Sequence, residues 1–194
     1  MDINVLLFDD FETLDVFGPV EILGQIEEYK LCYYSTQGGL IRSAQNTLVM
    51  TEPLNHAASN SILLIPGGRG TRALVRDEDF LNHLKKAAND SVYCLCVCTG
   101  SGLLAKTGLL KQVQATSNKK AFDWVVSLDS EVNWIKEARW VVDGKYYTSS
   151  GVSAGMDMAL GFIKDRFGLE KAFDIAKHIE YVWNRDSTKD DFAV

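Results

Sequence analysis

Histidine is scarce in this chain, with three in 194 residues, at positions 56, 83 and 178. Scattered so widely, they do not supply the clustered His and Cys spacing of a zinc site, and no metal is expected. Of four cysteines, Cys32 stands apart while Cys94, Cys96 and Cys98 alternate within one short run. Three thiols on one strand make no disulfide framework, so all four read as reduced. Cations do not dominate: 20 Lys and Arg stand against 26 Asp and Glu, a net charge of -6, and no basic stripe is gathered anywhere. Nucleic acid is therefore not an expected partner. No apolar run is long enough to span a bilayer, and the first one, INVLLF, follows Asp2 with no basic leader before it. The expectation is a cytoplasmic protein without a membrane partner. Proline is limited to three residues, and neither a linker nor a repeat interrupts the pattern. One domain over residues 1–194 is expected, long enough to bury about 70% of the unfolded surface without staples.

What is present is an alternation of short apolar runs with amphipathic stretches, the signature of an α/β sandwich. Strands are expected at 3–8, 31–36, 61–65 and 92–97, with a strand pair over 38–50 that turns at Gly38 and Gly39 and points Ile41 and Leu48 at a core. A further short strand falls at 113–116, and 139–143 with 146–149 flank Gly144 as a hairpin at the sheet edge. Helices are expected at 14–28, 77–89, 122–128, 152–167 and 169–183, the last two separated by Gly168. In such sheets ligands gather beyond the carboxyl ends of the strands, which brings together the loops at 9–14, 66–71 and 98–102.

Cys98 stands at the joint between the apolar run 92–97 and a helical run containing Leu103, Leu104 and Ala105, followed at once by Thr99, Gly100, Ser101 and Gly102. Small residues at that joint permit a sharp turn and aim the N–H groups of the first helical turn at the thiol. A thiol so placed is expected to have a lowered pKa, to be reachable by solvent, and to act as a nucleophile, as serine does at the nucleophile elbow of hydrolases. A cysteine at a strand end is more often simply buried, which is the reading for Cys94 and Cys96. Asp15, at the start of the first helix, is the leading acid/base partner; Asp9, Asp10 and Glu12 have similar spacing, and the alternative role of Asp15 is only to complement its own helix dipole. Two acids that close would share one proton, giving a thiolate beside a carboxylic acid or a thiol beside a base. The loop Pro66-Gly67-Gly68-Arg69-Gly70 ends a strand, and the amides of Gly67 and Gly68, with Thr99, are placed to bind developing negative charge. That loop does not follow G-x-G-x-x-G, so no dinucleotide cofactor is expected. His83 and His178 fall on helices and His56 in a loop, none patterned as a base for Cys98.

Four blocks, FETLDVFGPVEIL, ILLIPGGRG, VYCLCVCTGSGLLAKTGLL and YYTSSGVSAGMDMALGFI, strongly resemble the DJ-1/PfpI (ThiJ) superfamily, also described as class I glutamine amidotransferase-like, in that family's order. The blocks at 14–19, 98–100 and 150–157 look most like its isonitrile hydratase branch. The resemblance implies a flavodoxin-like three-layer sandwich with a mostly parallel sheet, usually a homodimer. It also implies a cofactor-independent enzyme acting on a small molecule, with Cys98 as nucleophile, Asp15 as its acidic partner and Thr99 assisting. Asp157 matches a family position read as structural. Many relatives carry a histidine in an Ala-Thr-x-His stretch, whereas Ala115-Thr116-Ser117 is followed here by Asn118. Asn118 cannot act as a base, which weakens amidase-like or protease-like readings and leaves a Cys-Asp mechanism untouched. A glyoxalase-like hydrolase and a redox-responsive protein in which Cys98 is oxidised remain as alternatives.

Overall fold

The computed structural model describes residues 1–193. Its elements, in chain order, are β1 (Asp2–Leu6), α1 (Thr13–Leu23), β2 (Lys30–Ser35), β3 (Gly39–Arg42), β4 (Leu48–Pro53), β5 (Ile62–Ile65), α2 (Thr71–Leu74), α3 (Glu78–Asp90) and β6 (Tyr93–Cys96). There follow α4 (Gly100–Lys106), β7 (Gln114–Ala115), α5 (Phe122–Val126), β8 (Asn133–Trp134), β9 (Trp140–Asp143), β10 (Tyr146–Ser149), α6 (Ala154–Phe167) and α7 (Leu169–His178).

Eight strands form one sheet in the order β3-β4-β2-β1-β5-β6-β10-β9. The run from β4 to β10 is parallel, and antiparallel β3 and β9 close its two edges. The central strands carry apolar residues on both faces because helices cover both: all four residues of β5, Ile-Leu-Leu-Ile, are buried. From β1 the chain crosses through α1 to β2 on one side, and from β5 through α3 to β6 on the other. Right-handed crossovers in opposite directions put those helices on opposite faces, so α1, α6 and α7 pack together in one layer and α2 to α5 in the other. The reversal of direction between β1 and β5 opens a crevice at their carboxyl ends, where the loops after β1, β5 and β6 meet. The flavodoxin-like sandwich is as expected.

Several boundaries differ from the sequence pattern for local reasons. Helix α1 ends at Leu23: the Gly24 N–H still reaches back four residues to the Val20 carbonyl, but the next two N–H groups, of Gln25 and Ile26, reach back only three, to Ile22 and Leu23. Gly38 and Gly39, at φ 74° and 94°, do lie at a turn, with the Gly38 N–H on the Ser35 carbonyl, but it leads from β2 into β3; the turn joining the paired strands lies at residues 43–47, where Asn46 takes φ 67° and the Ser43 hydroxyl accepts the Thr47 N–H. Leu48 then faces outward at 52% exposure instead of into the core, while Ile41 packs partly buried against it. The short strand β7 joins β8 in a separate two-stranded sheet. Helix α7 ends at His178, and Glu180 at φ 52° turns the chain so that Tyr181 and Trp183 reach back to α6. Among the described residues no helix is long and apolar enough to cross a membrane.

Candidate active site

Strand β6 delivers Cys98 to the crevice. The Val97 N–H binds the Ile65 carbonyl, after which Cys98 adopts φ 57°, a left-handed conformation that non-glycine residues rarely take, and α4 begins two residues later. The elbow is held from several sides. The Cys98 N–H donates to the Ser150 carbonyl at 3.1 Å, and the Cys98 carbonyl accepts the hydroxyls of Ser101 and Ser117 at 3.1 and 2.9 Å. Backbone N–H groups of Thr99 and Val152 are directed at the sulfur.

Asp15, in the first turn of α1, is fully buried against that sulfur. Its Oδ2 accepts the Gly67 N–H at 2.9 Å, and its Oδ1 has no well-formed hydrogen bond, although the Cys98 thiol and the Val152 N–H lie within reach of the carboxyl. Burial raises the pKa of Asp15 from 3.8 to about 7; the Gly67 N–H opposes this and the nearby Glu12 charge adds to it. The other acids of the loop are elsewhere engaged. Asp9 and Asp10 are exposed, the first accepting the Arg42 N–H and the second 3.5 Å from Arg69, and Glu12 accepts the Gln45 amide.

The thiol itself departs from expectation. Cys98 is 7% exposed, and burial, reinforced by the Asp15 charge, pushes its pKa well above the ordinary thiol value in spite of the two N–H groups facing it. The expected lowered pKa and ready solvent access are thus overturned: a short helix and two amides do not offset loss of water plus a neighbouring carboxylate. At neutral pH the pair is a neutral thiol beside a carboxyl that changes charge near 7, the second of the two protonation patterns considered for it. Such a pair can pass one proton back and forth as a bond forms at sulfur.

The glycines serve the site differently from the expected anion hole. The Gly67 N–H is engaged by Asp15 and the Gly68 N–H donates to the Thr99 hydroxyl at 3.1 Å, so neither amide faces open space. What they provide is closeness. A Cβ at Gly67 would meet the Thr99 nitrogen at 2.6 Å and the Cys98 Cβ at 2.9 Å, and Gly68, at φ 132°, would press one into the Asp10 carbonyl at 2.4 Å. Thr99 Oγ1 also lies 3.1 Å from the Thr71 hydroxyl, which in turn is 2.7 Å from the Gly68 carbonyl as acceptor.

His56, His83 and His178 are all exposed, away from the elbow. Asn118 does approach the site: its side chain caps Ala121 and its Nδ2 would lie 2.3 Å from a Cβ at Gly151. Val152, which lies in the 150–157 block but is not among the expected site residues, is a β-branched residue at φ 41°, a strained conformation that aims its N–H at sulfur and carboxyl together. The loop carrying it is anchored by a second buried carboxylate. Asp157 receives Arg139 Nε and Nη2 at 2.6 Å, the Tyr181 hydroxyl at 3.1 Å and the Asn184 N–H at 3.0 Å, while the Arg139 carbonyl accepts the Ser150 N–H.

An open, mostly parallel sheet with a buried cysteine at a strand-to-helix elbow and a carboxyl set against it defines the class: a flavodoxin-like α/β protein built around a Cys-Asp pair. The chain belongs to the DJ-1/PfpI family, which its residues 1–165 match. It is 28% identical over 184 residues to the isonitrile hydratase of Pseudomonas putida, covering 93% of this chain and 78% of that one. To a deglycase of Thermococcus kodakarensis it is 27% identical over 152 residues, 77% of this chain and 89% of the relative. The crystal structure of a ThiJ/PfpI family protein from Pseudomonas syringae matches with a TM-score of 0.86 at 25% identity, over 94% of this chain and 76% of that chain.

Proposed function

We propose that the protein is a cysteine-dependent hydratase that adds water to an isonitrile, R–N≡C, to give the formamide R–NH–CHO. The observation that carries this reading is the Asp15 carboxyl, poised to change charge near pH 7 and set against a protonated Cys98 with no histidine nearby. Ionised Asp15 takes the thiol proton as sulfur bonds to the terminal isonitrile carbon, then returns that proton to the same carbon, leaving R–N=CH–S–Cys98. Asp15, again a carboxylate, next accepts a proton from water as its oxygen adds to that carbon, and delivers it to nitrogen. The C–S bond then breaks, the hydroxyl proton returns to sulfur, and the formamide leaves with the thiol restored. The Thr99 and Val152 amides hold the sulfur while it carries charge, and the Thr99 hydroxyl, fixed by Gly68 and Thr71, lines the approach. Similarity to the Pseudomonas putida isonitrile hydratase over most of both chains supports the same chemistry.

The deglycase similarity favours a second reading, in which the same thiol adds to the carbonyl of a reactive aldehyde. Oxidative sensing fits less well, because a buried, protonated thiol is a slow target for peroxide. Incubation with cyclohexyl isonitrile and, separately, methylglyoxal, followed by mass spectrometry, distinguishes the readings. N-cyclohexylformamide from the wild type and none from Cys98→Ser is the expected result; consumption of methylglyoxal alone overturns the hydratase reading.

A further inference from the structure

Arg72 is the first residue of α2 after Thr71, whose hydroxyl touches that of Thr99, so this short helix starts against the elbow. Trp124 belongs to α5, which packs on α4: a Cβ at Gly102 of α4 would meet Leu128 and Val125 at 3.1 and 3.4 Å. The two side chains meet beside the elbow helix, with Arg72 Cζ 3.4 Å from the centre of the Trp124 ring. That separation is the thickness of two flat π systems in contact. The guanidinium therefore lies face-on to the indole, which leaves the N–H donors at its rim free for a planar partner. Arg139 and Arg69 each have a carboxylate within ion-pair distance; among the described residues Arg72 has none, nor any hydrogen-bond acceptor. Arg72 is an exposed side chain whose partial desolvation lowers its pKa, and negative charge on the Cys98 sulfur, when it develops, opposes that shift.

An unpaired cation held flat beside a reactive thiol is a receptor for a planar anion, and Arg matches a carboxylate with two parallel N–H bonds. The sulfur's neighbour Asp15, and Glu12 beside Asp15, are acids that repel such a group, so an acidic ligand is admitted in one orientation. We propose that Arg72, stacked on Trp124, is a carboxylate-binding residue of the Cys98 site, and that the substrates are isonitriles bearing a carboxylate at the end remote from the isonitrile carbon. The substrate class rests on the hydratase reading; the carboxylate subsite does not, and the two are tested apart.

The first measurement compares 4-isocyanocyclohexanecarboxylate with its methyl ester. The wild type should favour the acid by about tenfold in kcat/KM, chiefly through KM, with the preference lost in Arg72→Gln and partly kept in Arg72→Lys. Because the preference is a ratio within one preparation, partial unfolding of a variant cancels. The second uses no isonitrile: alkylation of Cys98 by iodoacetate relative to iodoacetamide, each normalised to glutathione and read by peptide mass spectrometry. The wild type should favour the acid reagent by a similar factor, and Arg72→Gln should return the ratio to that of glutathione. Turnover of neither isonitrile with the iodoacetate preference intact removes the reaction and keeps the subsite. Equal treatment of acid and ester, an iodoacetate ratio unmoved by Arg72→Gln, or a Cys98 labelled by neither reagent overturns the subsite.

Discussion

Asp15 and Asp157 are the same side chain, both fully buried, both in the first turn of a helix and on the same face of the sheet, yet their surroundings are opposite. Asp157 is given a guanidinium, a phenol and a backbone N–H, so its charge is answered from every side, and it holds the C-terminal segment onto α6. Asp15 is given one amide, a thiol and a strained N–H, and one of its oxygens has no well-formed bond. Burial raises the pKa of both, but at Asp157 the Arg139 guanidinium, the Asn184 N–H and the Tyr181 hydroxyl act against that rise, and a buried carboxylate with a full set of donors serves structure. With too few, it is left able to gain or lose a proton at neutral pH.

The largest expected effect separates stability from activity at these two positions. Asp15→Asn should lower isonitrile turnover by about 100- to 10,000-fold, since it removes the group that moves the proton. It should also stabilise the fold. The folded-state pKa of Asp15 is raised, so the wild type has its full stability below the unfolded pKa near 3.8 and loses it as pH rises through about 7. That gap corresponds to about 4 kcal/mol above pH 7 and nothing below pH 4. Urea unfolding of both proteins at pH 4 and pH 8 checks this; a variant destabilised at pH 8 contradicts the account of Asp15 as an under-bonded acid.

Arg139→Met should act in the reverse sense. It leaves Asp157 and Asp190 buried without their cation, at a cost of about 3–5 kcal/mol, much of it recovered by adding Asp157→Asn. Urea midpoints for the four members of that cycle give the coupling directly, and independent, additive costs would show that the ion pair does not organise this region.

Third in size is the pH dependence. Turnover begins with Asp15 ionised and the thiol protonated, so kcat/KM should rise tenfold per pH unit up to about 7 and level off above it, with no alkaline decline near neutrality because the thiol titrates far higher. An acidic limb centred near 4 would mean that substrate finds Asp15 already charged and solvated.

Much of this contrast could be anticipated from the chain. Cys98 at a strand-helix joint, Asp15 at a helix start and the order of the four blocks all declare themselves locally, because a sharp turn needs small residues and a buried parallel strand needs continuous apolar runs. The energetics at the sulfur were not legible. Whether a helix terminus or desolvation prevails at Cys98 depends on how closely α1 and the 150–153 loop close over it, which is set by tertiary packing. Arg72 and Trp124 meet only because α2 and α5 both pack on α4, and they lie 52 residues apart in the chain. Gly67 and Gly68 mark a strand end whose amides could bind charge, but their neighbours, and so the use of those amides, appear only in the fold.

Val152 offers the smallest and most discriminating test. Holding a β-branched residue at φ 41° costs about 1–3 kcal/mol, and the fold sustains it because the flanking backbone is pinned: Ser150 by Arg139 and Cys98, Ala154 at the start of α6. Val152→Gly relieves that strain but adds freedom to the unfolded chain worth about 0.4–1 kcal/mol, so stability should rise by about 1 kcal/mol. Turnover should nevertheless fall severalfold, because the N–H shared by sulfur and carboxyl is no longer locked in place. Tyr181→Phe is the counterpart on the satisfied side: it removes one bond to Asp157, should cost about 1 kcal/mol, and should leave turnover alone. Thermal unfolding and kcat/KM for the two variants decide whether strain at Val152 positions the reacting groups. If Val152→Gly loses stability and keeps its activity, the loop is only a packed turn, and the thiol is held by Thr99 alone.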